Sequence, residues 1–135
     1  MNPPGFLTSS ALVALGGGAG AWLRLVTGRA WSLAIGPIAA SAFPYATLTV
    51  NLVGSMAMGL LAGWLVRHGT GGEQWRLLLG VGVLGGFTTF SAFSLELALM
   101  IERGQIVTAA TYAAISLIGG IAGLFLGLYI MRAAI

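Results

Sequence analysis

The fold of this chain depends most on residues 80–94, which read GVGVLGGFTTFSAFS. This stretch lies within the uncharged run 77–95, which is long enough to cross a membrane. The glycine pair at its middle and the hydroxyl side chains that follow favour a break in the helix near 85–88. Irregular backbone at membrane depth is tolerated where protein or a polar cavity satisfies it, and freed carbonyls there could hold a small cation. A kinked but continuous helix is the alternative.

Around this stretch, a few charges divide the chain into four apolar segments. Hydrophobic residues make up 58% of the 135 residues and charged residues 7%, against roughly 25% in soluble domains. These proportions exclude a soluble domain and a disordered chain. The spans 6–24, 45–66, 77–95 and 106–131 approach or exceed the roughly 20 residues that a membrane-crossing helix needs, and the alternation typical of a membrane β-barrel is missing. We predict an all-α membrane protein, one domain over 1–135, with four transmembrane helices and a break in the third.

The chain has little with which to build acid–base catalysis. It contains no cysteine, one histidine and three acidic residues, all of them glutamates. Its six basic residues are arginines scattered along the sequence, without the basic patch or motif of a nucleic-acid-binding protein. We therefore predict that the protein is not an enzyme and does not bind nucleic acid.

The arginines also bear on membrane topology. Four spans place both termini and the 67–76 loop on one side of the membrane, and the 24–44 and 96–105 connections on the other. The first side then holds Arg67, Arg76 and Arg132, and the second holds Arg24, Arg29 and Arg103. Orientation usually follows an excess of Lys and Arg in cytoplasmic loops, so an even balance favours insertion both ways and pairing of two inverted copies. Alternatively, six charges are too few to decide the orientation.

Most of the 22 glycines lie inside the spans, where small residues let helices approach closely. Gly59 and Gly63 form a GxxxG pair in the second span, and Gly119, Gly123 and Gly127 recur four apart in the fourth. Close packing between helices is the favoured interpretation of these positions.

Several candidate site residues fall in the same half of the membrane. From the helical rise per residue, Asn51 and Tyr112 lie about 9 Å inside one border, and Phe90 lies about 8 Å from that border. Phe93 and Arg24 lie on the same side. Amide donors, aromatic ring edges with partial positive charge and an arginine at a shared depth suit an anion. Apolar packing of the phenylalanines and helix bridging by the asparagine are the alternatives.

Three stretches resemble the Fluc/CrcB family of fluoride channels, and together the resemblance covers nearly the whole chain. They are GGAGAWLR at 17–24, TLTVNLVGS at 47–55 and GGFTTFSAFSLE at 85–96. The resemblance implies an antiparallel, dual-topology homodimer in the lipid bilayer, with two separate fluoride pores. It also implies a central, structural Na⁺ held by the backbone carbonyls of Gly85 and Thr88.

The resemblance further implies the roles of individual residues. Asn51 matches a pore-lining asparagine, and Phe90 and Phe93 match two phenylalanines whose ring edges face fluoride. Tyr112 and Ser116 match the start of a track of hydroxyl groups on the fourth helix. The other predicted pore residues are Thr89 and Ser91, and the residues predicted to support the vestibule are Arg24 and Glu96.

Two departures from the family pattern stand out. Some members continue the hydroxyl track four residues beyond Ser116, where this chain has Gly120, so the far end of the track is left open. Ala92 stands where threonine or serine is common.

The function that the resemblance implies is passive export of fluoride across the cell (inner) membrane by a multi-pass protein. Hydrogen fluoride enters from an acid medium and dissociates inside, and the anion leaves through the pore. Two other classes remain as alternatives. A proton-coupled small multidrug exporter needs a carboxylate deep in a span, and Glu96 is expected at a helix end. A non-transporting membrane subunit would not require polar residues at a shared depth.

Overall fold

The computed structural model describes residues 4–68 and 72–133, and these ranges are helical with short connections. Positions 69–71 of the predicted 67–76 loop lie outside the described residues. Four stretches are long and apolar enough to cross a membrane, as the sequence predicts. The helices are α1 (Phe6–Ile35), α2 (Pro37–Ala42), α3 (Tyr45–His68), α4 (73–87), α5 (Phe90–Glu102) and α6 (Ile106–Ala133).

Helix α1 continues well past Arg24, where the first apolar run ends. It ends at Ile35 because Gly36 has a φ of 84°, a conformation that glycine adopts without a steric penalty, and Pro37 then begins α2. The indole Nε1 of Trp31 donates to the hydroxyl of Thr49 at 3.0 Å, which ties this extension to α3. The predicted connection 24–44 is therefore mostly helical, because a charge can end an apolar run without ending a helix.

The third span is broken, and the break lies at Thr88 and Thr89. Helix α4 begins with an α-helical turn at Glu73–Trp75, widens to a π-helix over Arg76–Leu84 and closes as α-helix at Gly85–Phe87. Thr88 and Thr89 are extended, with ψ angles of 159° and 121°, before α5 starts. The break is thus confirmed, but the glycine pair expected to open it is itself helical.

Glycines bring the helices into close contact in two pairs, α1 with α4 and α3 with α6. A Cβ on Gly86 would meet the carbonyl of Gly17, so Gly86 serves helix packing rather than the break. Between α3 and α6, a Cβ on Gly59 would meet the carbonyl of Leu124, and one on Gly127 that of Met56. The close packing predicted from the glycine spacing is confirmed at these positions.

Helix α5 corrects the expected position of Glu96. The sequence placed Glu96 at the start of a connection, but α5 runs on to Glu102, and the connection to α6 is only 103–105, with Gly104 at a φ of 73°. Glu96 is therefore about 9 Å before the end of the helix. It lies beside the small core of the chain, which comprises Phe93, Met100, Ala109 and Tyr112.

Candidate functional site

The amide of Asn51 holds the break in the third span. Its Oδ1 accepts from the backbone N–H of Thr89 at 2.8 Å, and its Nδ2 donates to the carbonyl of Thr89 at 3.0 Å. One side chain thus satisfies both backbone groups of an extended residue, which would otherwise be costly in an apolar environment. An amide nitrogen carries two protons, so one N–H of Asn51 remains for another acceptor.

Two backbone carbonyls lose their usual helical donors at the break. In a continuous helix the Thr89 N–H would donate to the carbonyl of Gly85, but it donates to Asn51 instead. The Ala92 N–H would donate to the carbonyl of Thr88, but it donates to the hydroxyl of Thr89, which caps α5, at 3.2 Å. The carbonyls of Gly85 and Thr88 are therefore released from the helical pattern.

A cavity of about 300 Å³ opens beside the break. Six of the predicted site residues line it, and no charged side chain belongs to its described lining. Ser116 contributes a hydroxyl that is buried and makes no hydrogen bond in the part of the chain that the structure describes. The predicted site residues in this lining are Asn51, Thr88, Thr89, Phe90, Phe93 and Ser116. Among them, Thr88 was predicted as a cation ligand through its backbone carbonyl.

The two phenylalanines of the third span meet at this cavity but differ in burial. Their ring centroids are 5.7 Å apart, and the rings are inclined by 40°. Phe93 is 7% exposed and packs against Tyr112 at 5.1 Å, whereas Phe90 is 75% exposed. Phe93 is therefore fixed within the chain, and Phe90 forms the open side of the cavity.

Tyr112 and Glu96 interact directly. The Tyr112 hydroxyl donates to Oε2 of Glu96 at 2.8 Å, and the hydroxyl of Thr47 donates to Oε1 at 2.6 Å. Tyr112 is fully buried, and its hydroxyl points to the carboxylate rather than to the cavity. Thr47 was not among the predicted site residues, although it stands one helical turn before Asn51 and shares its face of α3.

A second cavity, of about 240 Å³, lies on the other side of Glu96. Its lining includes Phe43, Glu96 and Arg103, so it carries charge where the first cavity does not. Phe43 packs against Tyr112 with ring centroids 5.4 Å apart. A layer containing Phe43, Glu96 and Tyr112 therefore lies beside this charged cavity, and Phe93 continues that layer to the uncharged one.

Besides Tyr112 and Glu96, three of the predicted residues do not line the uncharged cavity. Ser91 is exposed, with its hydroxyl 3.3 Å from that of Thr89, and it does not line the cavity. Gly85 lies on the exposed surface of the chain. Arg24 is half-buried on α1 and lines neither cavity.

The sequence matches an established family over most of its length. The family profile described as "CrcB-like protein, Camphor Resistance (CrcB)" matches residues 11–128. The chain belongs to the CrcB family. The predicted resemblance is thereby confirmed.

Several relatives of this CrcB-family chain carry the name "Fluoride-specific ion channel FluC". The protein of that name from Novosphingobium aromaticivorans is 60% identical over 126 residues, which are 93% of this chain and 98% of the relative. Those from Sphingopyxis alaskensis and Caulobacter vibrioides are 50% and 51% identical, covering 89% and 90% of this chain and 92% and 93% of the relatives. The relatives therefore match this CrcB-family chain nearly end to end.

Proposed function

We propose that this protein is a fluoride-selective ion channel and that its pore passes through the uncharged cavity. Membership of the CrcB family and the name of its relatives support the substrate. The observation that carries the proposal is the set of free donors in an uncharged cavity, namely one N–H of Asn51 and the hydroxyl of Ser116. Phe90 and Phe93 add ring edges with partial positive charge.

These groups suit a small anion that must lose water. Fluoride accepts hydrogen bonds strongly, and donors already held in place replace its hydration without having to be ordered first. The Thr89 backbone fixes the orientation of the Asn51 amide through two hydrogen bonds, so its remaining N–H has a defined direction. The absence of an acidic side chain from the described lining avoids repulsion of the anion.

The sequence disfavoured a proton-coupled exporter because Glu96 was expected at a helix end, but Glu96 lies within α5. Its carboxylate is engaged by two hydroxyl donors, and it does not line the uncharged cavity. We therefore assign Glu96 to positioning Tyr112 and Thr47, and the family relationship favours the channel.

We further propose that two copies assemble in inverted orientation. Phe90 is 75% exposed at the open side of the cavity, so a single chain does not enclose a pore. The even distribution of six arginines removes the usual determinant of a single orientation. A second copy would cover the exposed side of the cavity, as the resemblance implies.

A structural Na⁺ fits the chemistry of the break. Hard cations prefer oxygen ligands, and the carbonyls of Gly85 and Thr88 have lost their usual helical donors to Asn51 and to the Thr89 hydroxyl. Na⁺ bound there would be held by the negative ends of the carbonyl dipoles. In the proposed dimer, each chain would contribute the same two carbonyls.

The proposed transport is passive and needs no catalytic group. In a bacterial inner membrane, an inside-negative potential would favour the outward movement of an anion by about 2.3 kcal/mol per 100 mV. Four candidate spans fit a multi-pass protein in such a membrane.

Purified protein in liposomes tests the proposal. Liposomes loaded with fluoride or chloride are diluted into buffer at equal internal and external pH, and valinomycin with potassium allows compensating charge movement. We expect fluoride to leave rapidly and chloride to stay. Equal release of the two halides would contradict the proposed selectivity, and release that requires a pH gradient would contradict the channel.

A further inference from the structure

Ser55 is a polar residue of the uncharged cavity to which the sequence assigns no role. It follows Asn51 by four residues on α3, so the two side chains share a face of the helix. Ser55 is about 6 Å farther along the helix axis than Asn51. The cavity therefore has a polar position beyond the break, among the apolar residues Met58, Leu117 and Leu124.

The space for the Ser55 hydroxyl is left by Gly120 on the facing helix. A Cβ on Gly120 would lie 3.3 Å from Oγ of Ser55 and 4.0 Å from its Cβ. The first distance is tight and the second is ordinary contact. A side chain at position 120 would thus compete with the hydroxyl of Ser55 but not with its carbon.

Ser116 and Ser55 both present hydroxyl groups that the protein leaves unused. The Ser116 hydroxyl is buried without a hydrogen-bond partner, and the Ser55 hydroxyl makes no hydrogen bond, both judged within residues 4–68 and 72–133. Several other hydroxyls in the spans donate to backbone carbonyls; those of Thr27, Ser32 and Ser94 bond to the residue four positions earlier. Leaving the buried Ser116 donor unsatisfied is costly unless a ligand or water completes it, and Ser55 lines the same cavity.

We propose that Ser55 is a further anion-binding residue and that it continues the donor path beyond Ser116. The path starts at Asn51 on α3, passes Ser116 on α6 and returns to α3 at Ser55. An anion that leaves the phenylalanine pair then meets a hydroxyl donor before the apolar end of the cavity. This inference rests on the proposed channel function and adds a specificity-determining residue to it.

The test exchanges the hydroxyl between the two helices. Ser55→Ala should lower fluoride efflux from liposomes by about tenfold or more, because a donor to a charged ligand is lost. In the double variant Ser55→Ala/Gly120→Ser, a hydroxyl enters from α6 into the space vacated on α3. This double variant should recover most of the efflux.

A matched serine provides the control. Ser32→Ala on α1 removes a hydroxyl that donates to the carbonyl of Gly28. Ser32 does not line the cavity, so this variant should release fluoride at the wild-type rate. The melting temperature and the oligomeric state of each variant are measured alongside, because a packing role for Ser55 would appear there.

Each outcome decides the inference. Wild-type efflux in Ser55→Ala overturns it, and so does a loss that is accompanied by a lower melting temperature and not recovered by the double variant. Wild-type protein that does not release fluoride contradicts the proposed function and this inference with it. Normal fluoride release by wild type, with an unaffected Ser55→Ala, contradicts the inference alone.

Discussion

Helix α3 contacts its neighbours in two different ways. Against α6, backbone meets backbone, because Gly59 faces the carbonyl of Leu124 and Gly127 faces that of Met56. Against the break, the Asn51 amide exchanges two hydrogen bonds with Thr89. The contact between α3 and α6 depends on glycines that have no side chain, and the contact with the break depends on the hydrogen bonds of one amide. The glycine contact therefore fixes where the helices stand, and the amide contact fixes where polar groups open into the cavity.

The largest effect on stability is expected when a side chain is added at the glycine contact between α3 and α6. A methyl group on Gly59 overlaps a backbone carbonyl, which cannot rotate away as a side chain would. We expect Gly59→Ala to cost about 3 kcal/mol or more, at the upper end for overpacking. Heating in detergent followed by size-exclusion chromatography measures the loss of folded protein. The matched control is Gly18→Ala, where a Cβ meets open space; equal stability of both variants would refute the packing account.

Asn51→Asp disrupts the hydrogen-bonded contact with Thr89 while keeping the shape of the side chain. The carboxylate still accepts from the Thr89 N–H, but it cannot donate to the Thr89 carbonyl, and it places a negative charge at the cavity. We expect fluoride efflux to fall by more than about tenfold while the protein still assembles. Efflux at the wild-type rate would remove Asn51 from the pore.

The phenylalanine pair separates transport from stability. Phe90→Ile and Phe93→Ile keep apolar bulk but remove the aromatic edge, and we expect both to lower fluoride efflux sharply. Phe93→Ile should also lower the stability by about 1 kcal/mol, because Phe93 is already buried within the single chain. Phe125→Ile, at a 64% exposed position on α6, is the control. Unchanged efflux in both cavity variants would leave these rings as packing residues.

Tyr112→Phe should have the smallest effect on transport. It removes a hydrogen bond to Glu96, worth roughly 1.5–3 kcal/mol for a charged partner, without removing a donor from the uncharged cavity. We expect a lower melting temperature and an efflux rate within about threefold of wild type. A loss of efflux as large as that of Asn51→Asp would place the Tyr112 hydroxyl in the pore, as the predicted hydroxyl track has it.

The sequence predicted the number of spans, the break and the grouping of Asn51, Phe90, Phe93 and Ser116, because each depends on local polarity and spacing. It attributed the break near 85–88 to the glycine pair, whereas the extended residues are Thr88 and Thr89. Glycine spacing does not reveal that Gly86 packs on α1 or that Asn51 accepts from the Thr89 N–H. Those partners are distant in the chain.

The errors at the helix ends have a related cause. Charge at Arg24 and Glu96 ended the apolar runs, but the helices continue to Ile35 and Glu102. The side chain of Glu96 is satisfied by Thr47 and Tyr112, one from each of two other helices. The partners of this carboxylate are distant in the chain, so the sequence around Glu96 does not predict that the helix continues past it.

The most direct test of the account is the reversal potential of the protein in a planar bilayer. With a tenfold fluoride gradient and equal pH on both sides, a fluoride-selective channel should reverse at about 59 mV, the value for a singly charged ion. Imposing a pH gradient at constant fluoride should leave that potential unchanged. A reversal potential that follows the pH gradient would contradict the channel and favour a proton-coupled exporter.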